Sequence, residues 1–236
     1  MGGAIGRRPK RGTGVPPVVG DVGHAQDTPA TTLQRRQGAY LPHWTLTAGG
    51  IYAVTFRLVD SLPAEVLERL TRERDELERE ARNDPEGFVD DAQHRLAHLR
   101  SKRIEDFLDA GSGACWMKQA RIAHMVAQSL QYFDHVRYHL HAWCVVPNHV
   151  HVLVEPVKGN HLSTILHGWK SFSAKQANRI IGRTGVFWQP EYYDHLIRDE
   201  GEYVRAVRYI EQNSVVAGLS PWPWVSQWCI SGSSVS

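Results

Sequence analysis

The sequence predicts an α+β sandwich, and three observations carry the prediction. Alternation at the strand period of two appears at residues 51–59, 135–146 and 149–155. Apolar residues at helical spacing appear at about 116–131, 161–181 and 200–213, with a mixed but strand-like stretch at 186–197 between the last two. The short Pro147-Asn148 link joins the two central strands too tightly for a crossover, so they form an antiparallel hairpin. Strand, helices, hairpin, helix, strand, helix is the order of a ferredoxin-like sandwich, an antiparallel sheet with helices on one face.

Each element has its own justification. Residues 1–40 are rich in Gly, Pro, Thr and Arg without periodicity and read as a disordered basic extension, with Arg7, Arg8, Lys10 and Arg11 as its charges. In the first strand Ile51, Ala53 and Thr55 alternate with Tyr52, Val54 and Phe56. Pro63 opens a polar segment with Leu62, Val66, Leu70 and Leu77 near helical spacing, interrupted at Asn83-Asp84-Pro85 and resumed at about 89–108. Its charges pair at helical intervals, so residues 63–110 read as a solvated helical hairpin inserted into the domain at 41–220. Gly111-Ser112-Gly113 ends the insertion, Gly182 and Gly185 end the helix at 161–181, and residues 221–236 form a Trp-rich tail.

The chain has 236 residues, 42% hydrophobic and 22% charged, enough to bury a core. No run approaches the roughly 20 apolar residues of a membrane span, and the N-terminus lacks a signal-peptide pattern, so the expectation is a cytoplasmic protein without a membrane partner. Cys115, Cys144 and Cys229 are odd in number and far apart, which argues against a disulfide framework or a paired-cysteine zinc site. The net charge of +2 hides a division: residues 65–109 hold 14 acidic and 9 basic side chains, whereas 158–183 holds Lys158, Lys170, Lys175, Arg179 and Arg183 and no acid. The acid-free stretch reads either as a solvated helix face or as a surface for a polyanion such as nucleic acid.

The densest motif is Val-Pro-Asn-His-Val-His-Val-Leu-Val-Glu at 146–155. Alternation puts His149, His151 and Leu153 on one face of the strand and Val150, Val152 and Val154 on the other. Two imidazoles at i and i+2 on a rigid strand can hold one divalent cation, each offering a ring nitrogen without spending a charge. His139-Leu140-His141 repeats the pattern ten residues earlier. An even loop at Pro147-Asn148 pairs Val146 with His149 and Cys144 with His151, and sends His139 and His141 to the opposite face; an odd loop puts all four together. The even register also sets Cys144 beside His151, a zinc alternative with no fourth ligand in view.

Farther on, Trp-Gln-Pro-Glu-Tyr-Tyr-Asp-His-Leu-Ile-Arg-Asp-Glu at 188–200 is followed by Arg-Tyr-Ile-Glu-Gln-Asn-Ser-Val-Val-Ala-Gly-Leu at 208–219. Together with Pro-Asn-His-Val-His, these stretches closely resemble the REP-associated tyrosine transposases, within the wider single-tyrosine HUH (IS200-like) transposase family. The resemblance covers about residues 41–228. Trp169-Lys170-Ser171-Phe172 and Trp222-Pro223-Trp224 are weaker family-like features. One departure stands out: Ser214 occupies the position after Asn213 where the family usually has proline.

The resemblance implies a ferredoxin-like fold and cleavage and rejoining of single-stranded or hairpin DNA. It implies Tyr209 as nucleophile, and helix geometry agrees: Val204, Val207, Ile210 and Tyr203 gather on one side, and Tyr209 lies about 130° away with Asn213 one turn on. Tyr203 is then the core aromatic, with Tyr192 and Tyr193 as outside competitors. His149, His151 and the Asn213 carboxamide make a mixed ligand set compatible with Mg²⁺ or Mn²⁺. Lys170, Lys175 and Arg179 read as a phosphate track. Trp188 either stacks a base or seals the core, and Asp194 and Arg198 are architectural or DNA-contacting. Two alternatives stay open, a domesticated DNA-hairpin-binding protein without turnover and a metal-dependent phosphodiesterase without a covalent step. So does oligomeric state, monomer or homodimer.

Overall fold

The computed structural model describes residues 33–37, 42–46, 49–83, 104, 107–108 and 110–226. Its centre is a four-stranded antiparallel sheet built from β3 (Tyr52–Leu58), β4 (Tyr138–Val145), β5 (His149–Pro156) and β6 (Trp188–Leu196), in the order β4-β5-β3-β6. Two further strands, β1 (Leu33–Gln37) and β2 (Pro42–Leu46), pair with each other. The span expected to be a disordered extension therefore contains one strand, Leu33–Gln37; residues 1–32 lie outside the described residues.

Helix α1 (Ala64–Asn83) ends where the Asn-Asp-Pro interruption was read. Of the second helical piece, only Ile104, Phe107 and Leu108 belong to the described residues. They pack with Leu62, Val66 and Leu67 as a small satellite core. A 3-10 turn (Trp116–Lys118) leads into α2 (Ala120–Gln131). Helix α3 (Leu162–Ile181) stops at Gly182, whose φ of 67° is the left-handed conformation that glycine adopts without strain.

The last helix, α4 (Glu200–Val216), begins at an Asp199 side chain that accepts the Glu202 backbone N–H. It runs straight through Ser214 to Val216. A proline there would remove a backbone donor and crowd the preceding turn; serine does neither, so the helix gains residues past Asn213.

The strand alternation sorts the core into two layers. Val150, Val152 and Val154 pack with Ile122, Val126 and Leu130 of α2 and Leu162, Ile165, Leu166 and Trp169 of α3. Leu153, Ala142, Cys144 and Val146 face the other way and pack on Val207 and Ile210 of α4. The antiparallel α+β sheet is as the sequence predicts, but the helices are not all on one face. Helices α2 and α3 cover one side, and α4 covers the side that carries His149 and His151. An order of elements leaves open the side to which a terminal helix returns; here the apolar stripe of α4 finds the uncovered small residues of β4 and β5.

The hairpin register is the even one, with Cys144 opposite His151, Val145 opposite Val150, and the Val146 N–H donating to His149 C=O at 3.0 Å. It does not persist. The pairing slips between Leu140 and Ala142, leaving His141 as the extra residue of a bulge. Beyond the bulge His139 stands opposite Glu155, on the face of His149 and His151. The expectation that His139 and His141 point to the other side is thus overturned, because a bulge inverts every side chain beyond it. The tail returns along β4: the Val145 N–H donates to Trp224 C=O at 2.9 Å, the Ser226 N–H to Trp143 C=O at 2.8 Å, and the Trp222 indole N–H to Val145 C=O at 2.6 Å.

Candidate active site

His149 and His151 lie buried in mid-sheet, where β5 is flanked by β4 and β3. Their Nε2 atoms are 2.8 Å apart and the rings meet edge to face. Two ligand atoms held at about 2.1 Å from one ion and at right angles to each other are about 3 Å apart, so the two nitrogens converge as a cation requires. Each ring is held from behind. His149 Nδ1 is 2.8 Å from Asn148 Oδ1, and His151 Nδ1 is 2.8 Å from Thr55 Oγ1. Thr55 is the cross-strand neighbour of His151, and Arg57 that of His149.

Burial keeps both imidazoles neutral. His149 is driven well below the ordinary histidine range by desolvation, then by His151 and Arg57, and His151 falls to about 3 by desolvation. A neutral imidazole is the form that ligates a metal. Arg57 is itself buried, a cation enclosed beside the pair.

Helix α4 carries Tyr209 and Asn213. Val207 and Ile210 dock on the sheet, which turns Tyr209 toward the histidines: its ring sits edge to face with His151 at 5.3 Å between centroids, and the residue keeps 40% of its surface exposed. A nucleophile must be reachable by a polymer, and Tyr209 combines contact with the pair and access from solvent. Asn213, one turn on, is 1% exposed, and its Oδ1 has no hydrogen-bond partner. An unmatched buried carbonyl oxygen is costly unless a ligand completes it. Neutral nitrogens on one strand and an orphaned amide oxygen fit a hard divalent cation. Among the described residues no group of three or more His, Cys, Asp or Glu assembles into an alternative metal site.

The remaining tyrosines and histidines have other work. Tyr203 packs beside the α4 core, its hydroxyl 3.2 Å from His141 Nδ1, while His141 Nε2 is 3.2 Å from Glu155 Oε2. His139 contacts His135, 3.3 Å between Nδ1 atoms. Tyr192 and Tyr193 lie on β6, with Tyr193 across from Thr55. The Cys144 thiol is enclosed in the apolar layer, where burial pushes it up to about 12, and it packs with Val207 and Ile210 of α4.

Of the residues read as contacting DNA, Lys175 and Arg179 are exposed on α3, and Arg198 is exposed ahead of α4. Lys170 is half-buried and donates to Pro190 C=O at 2.7 Å, tying α3 to β6; burial lowers its ammonium to about 8, against the pull of Glu191. Trp188 is in the core, edge to face with Phe56 and Phe187, and its indole N–H donates to Ser173 Oγ at 2.9 Å. Buried between these partners and with its donor engaged, it seals the core. Asp194 lies in β6 opposite Val54.

Sequence reasoning passed over Asn148, Thr55 and Arg57. Asn148 was read as a turn residue only. The signal for the other two was Arg57 continuing the series Ile51, Ala53, Thr55, a charge at the buried end of a strand.

Comparison with known proteins matches residues 117–213 to the family described as "Transposase IS200 like". An uncharacterized protein of Haemophilus influenzae is 24% identical over 163 residues, covering 51% of this chain and 91% of that protein. The REP-associated tyrosine transposase of Escherichia coli K12 is 30% identical over 91 residues, covering 37% of this chain and 53% of that one. The chain thus spans about half the length of the latter relative. A solved structure of a REP-associated tyrosine transposase bound to a REP hairpin is 17% identical, with a TM-score of 0.44 and 81% of each chain covered. The matched stretch runs from the 3-10 turn to Asn213 and includes His149, His151 and Tyr209, so this part of the chain is similar to the IS200-like transposase family.

Proposed function

We propose that the protein is a DNA transposase that cleaves and rejoins single-stranded or hairpin DNA through a covalent 5′-phosphotyrosine intermediate, with Tyr209 as nucleophile. The observation that carries this is the convergence of the His149 and His151 Nε2 atoms, 2.8 Å apart, beside the Tyr209 ring. His149, His151 and Asn213 would hold Mg²⁺ or Mn²⁺. The chemistry supplied by the bound ion is neutralisation of a nonbridging phosphate oxygen, which otherwise repels an incoming nucleophile.

The Tyr209 hydroxyl loses its proton and forms a bond to phosphorus as the bond to the 3′ oxygen breaks; that oxygen takes up a proton and leaves as a free 3′-hydroxyl. The phosphodiester is exchanged for a phosphotyrosine ester of similar energy, so a 3′-hydroxyl can reverse the step without ATP. A phenol with a pKa near ~10 is mostly protonated at neutral pH, and the ring contact with His151 sets Tyr209 beside the residues that would hold the cation. Lys175 and Arg179, exposed on α3, supply phosphate contacts, as does Arg198.

The test is a denaturing gel with end-labelled oligonucleotide hairpins bearing single-stranded flanks, incubated with protein and Mn²⁺. The expected result is labelled DNA migrating with protein, abolished in Tyr209→Phe and retained in Tyr203→Phe. Cleavage without an adduct would make the protein a phosphodiesterase, and binding without cleavage would make it a hairpin-binding module.

A further inference from the structure

We infer that Asn148 is a positioning residue that presets the ring orientation and tautomer of His149 and ties this ligand to the end of the helical insertion. The inference rests on the reading of His149 as a cation ligand. Asn148 is 1% exposed, and all its side-chain polar atoms are engaged. Its Nδ2 donates to Leu108 C=O at 3.0 Å and to Ser112 C=O at 3.1 Å. Both are carbonyls, so they accept only, and the amide cannot turn over without setting its own oxygen against theirs. Oδ1 must then face His149, and an amide oxygen only accepts, so the 2.8 Å contact requires the proton on His149 Nδ1. In the neutral ring that leaves Nε2 bare and aimed at the position shared with His151 Nε2.

His151 lacks this constraint. Its Nδ1 faces the Thr55 hydroxyl, which donates or accepts by rotation. Without an ion, one proton must lie between the two Nε2 atoms, and His149 has none to give there. His151 therefore carries it and accepts from Thr55. To offer both Nε2 lone pairs to a cation, His151 would take the other tautomer and donate from Nδ1 to Thr55. The pair consists of one preset ligand and one adaptable ligand.

The preset ligand is anchored through Asn148 on the Leu108 and Ser112 carbonyls. The backbone just after Ser112 is held in turn. The Ala114 N–H donates to Asp60 Oδ2 at 3.0 Å, and a Cβ at Gly113 (φ 85°) would collide with the Asp60 backbone carbonyl. The end of the insertion is thus built into the site, one side chain removed from the ligand.

The experiment measures the histidine ring ¹⁵N spectrum and the Mn²⁺ affinity (by electron paramagnetic resonance) of the full chain and of Asn148→Ala and Asn148→Asp. Metal-free wild type should show His149 as the pure Nδ1–H tautomer. In Asn148→Ala the His149 signals should move toward a tautomer mixture, and Mn²⁺ affinity should fall about ten- to a hundred-fold. Asn148→Asp keeps the acceptor for Nδ1 but loses both donors, so it should retain the tautomer while lowering the urea midpoint. A purely structural role would lower the midpoints of both variants without moving the tautomer, and that result overturns the inference. If Asn148→Ala fails to fold, a tautomer mixture in wild type or in Asn148→Asp overturns it equally. If wild type binds no Mn²⁺, the cation reading fails, and the ring spectrum still decides what Asn148 does.

Discussion

Lowering the pH from 7.5 to 5 without divalent cations should destabilise the fold by about 4 kcal/mol through His149 and His151 alone. Burial holds His149 well below 6.5 and His151 at about 3. In the unfolded chain both titrate near ~6.5. Below that value the unfolded state takes up protons that the folded state refuses, so this contribution is fully present above about pH 6.5 and is lost as pH falls toward the folded values. Linkage across 1.5 units below ~6.5 gives about 2 kcal/mol for each imidazole, hence about 4 for the two. That is a large part of the roughly 5–15 kcal/mol typical of a domain. The assay is urea denaturation with EDTA at several pH values, comparing wild type with the double variant His149→Gln/His151→Gln. The variant will differ in absolute stability, so the quantity compared is the change between pH 7.5 and 5. It should be shallower in the variant by about 4 kcal/mol. Parallel curves would refute the reasoning, since the two rings would then be charged in the folded protein or accessible to water.

Three other outcomes follow from the packing and the charges. Trp188→Ala should cost about 3–5 kcal/mol in chemical denaturation and leave the DNA affinity of the folded fraction unchanged, because the ring is spent on Phe56, Phe187 and Ser173. Lys175→Glu with Arg179→Glu should weaken binding of single-stranded DNA and flatten its salt dependence, each lost phosphate contact lowering the slope of log K against log salt by about 0.7. Asp199→Ala should cost about 1 kcal/mol by removing the cap of α4, read as a lower thermal midpoint.

How much of this was legible in the chain depends on the range of the interactions. The Pro147-Asn148 loop is local, and counting its residues was enough to pair Cys144 with His151. The fate of His139 and His141 was not local. A bulge at His141 depends on contacts with Glu155 and Tyr203 from other elements, and no spacing rule reports it. The amphipathic stripe of α4 showed that Val207 and Ile210 would be buried, but not on which side of the sheet. Trp188 was undecided in the sequence because an aromatic at a strand start suits a core as well as a base. The carbonyl partners of Asn148, 40 and 36 residues away, were beyond any local pattern.

The outer edge of β4 bears on how the molecule meets its own copies. A long strand with unpaired N–H and C=O groups on one side is a template for another chain. Here the edge is broken up three ways: the Trp224–Ser226 backbone occupies Trp143 and Val145, the bulge interrupts the middle, and Asp134 Oδ1 takes the Leu140 N–H at 2.8 Å. Two molecules therefore cannot join β4 to β4 into one continuous sheet while the tail is in place. Deleting the tail would free the backbone groups of Trp143 and Val145 beyond the bulge, and its first consequence would be concentration-dependent self-association rather than loss of the fold.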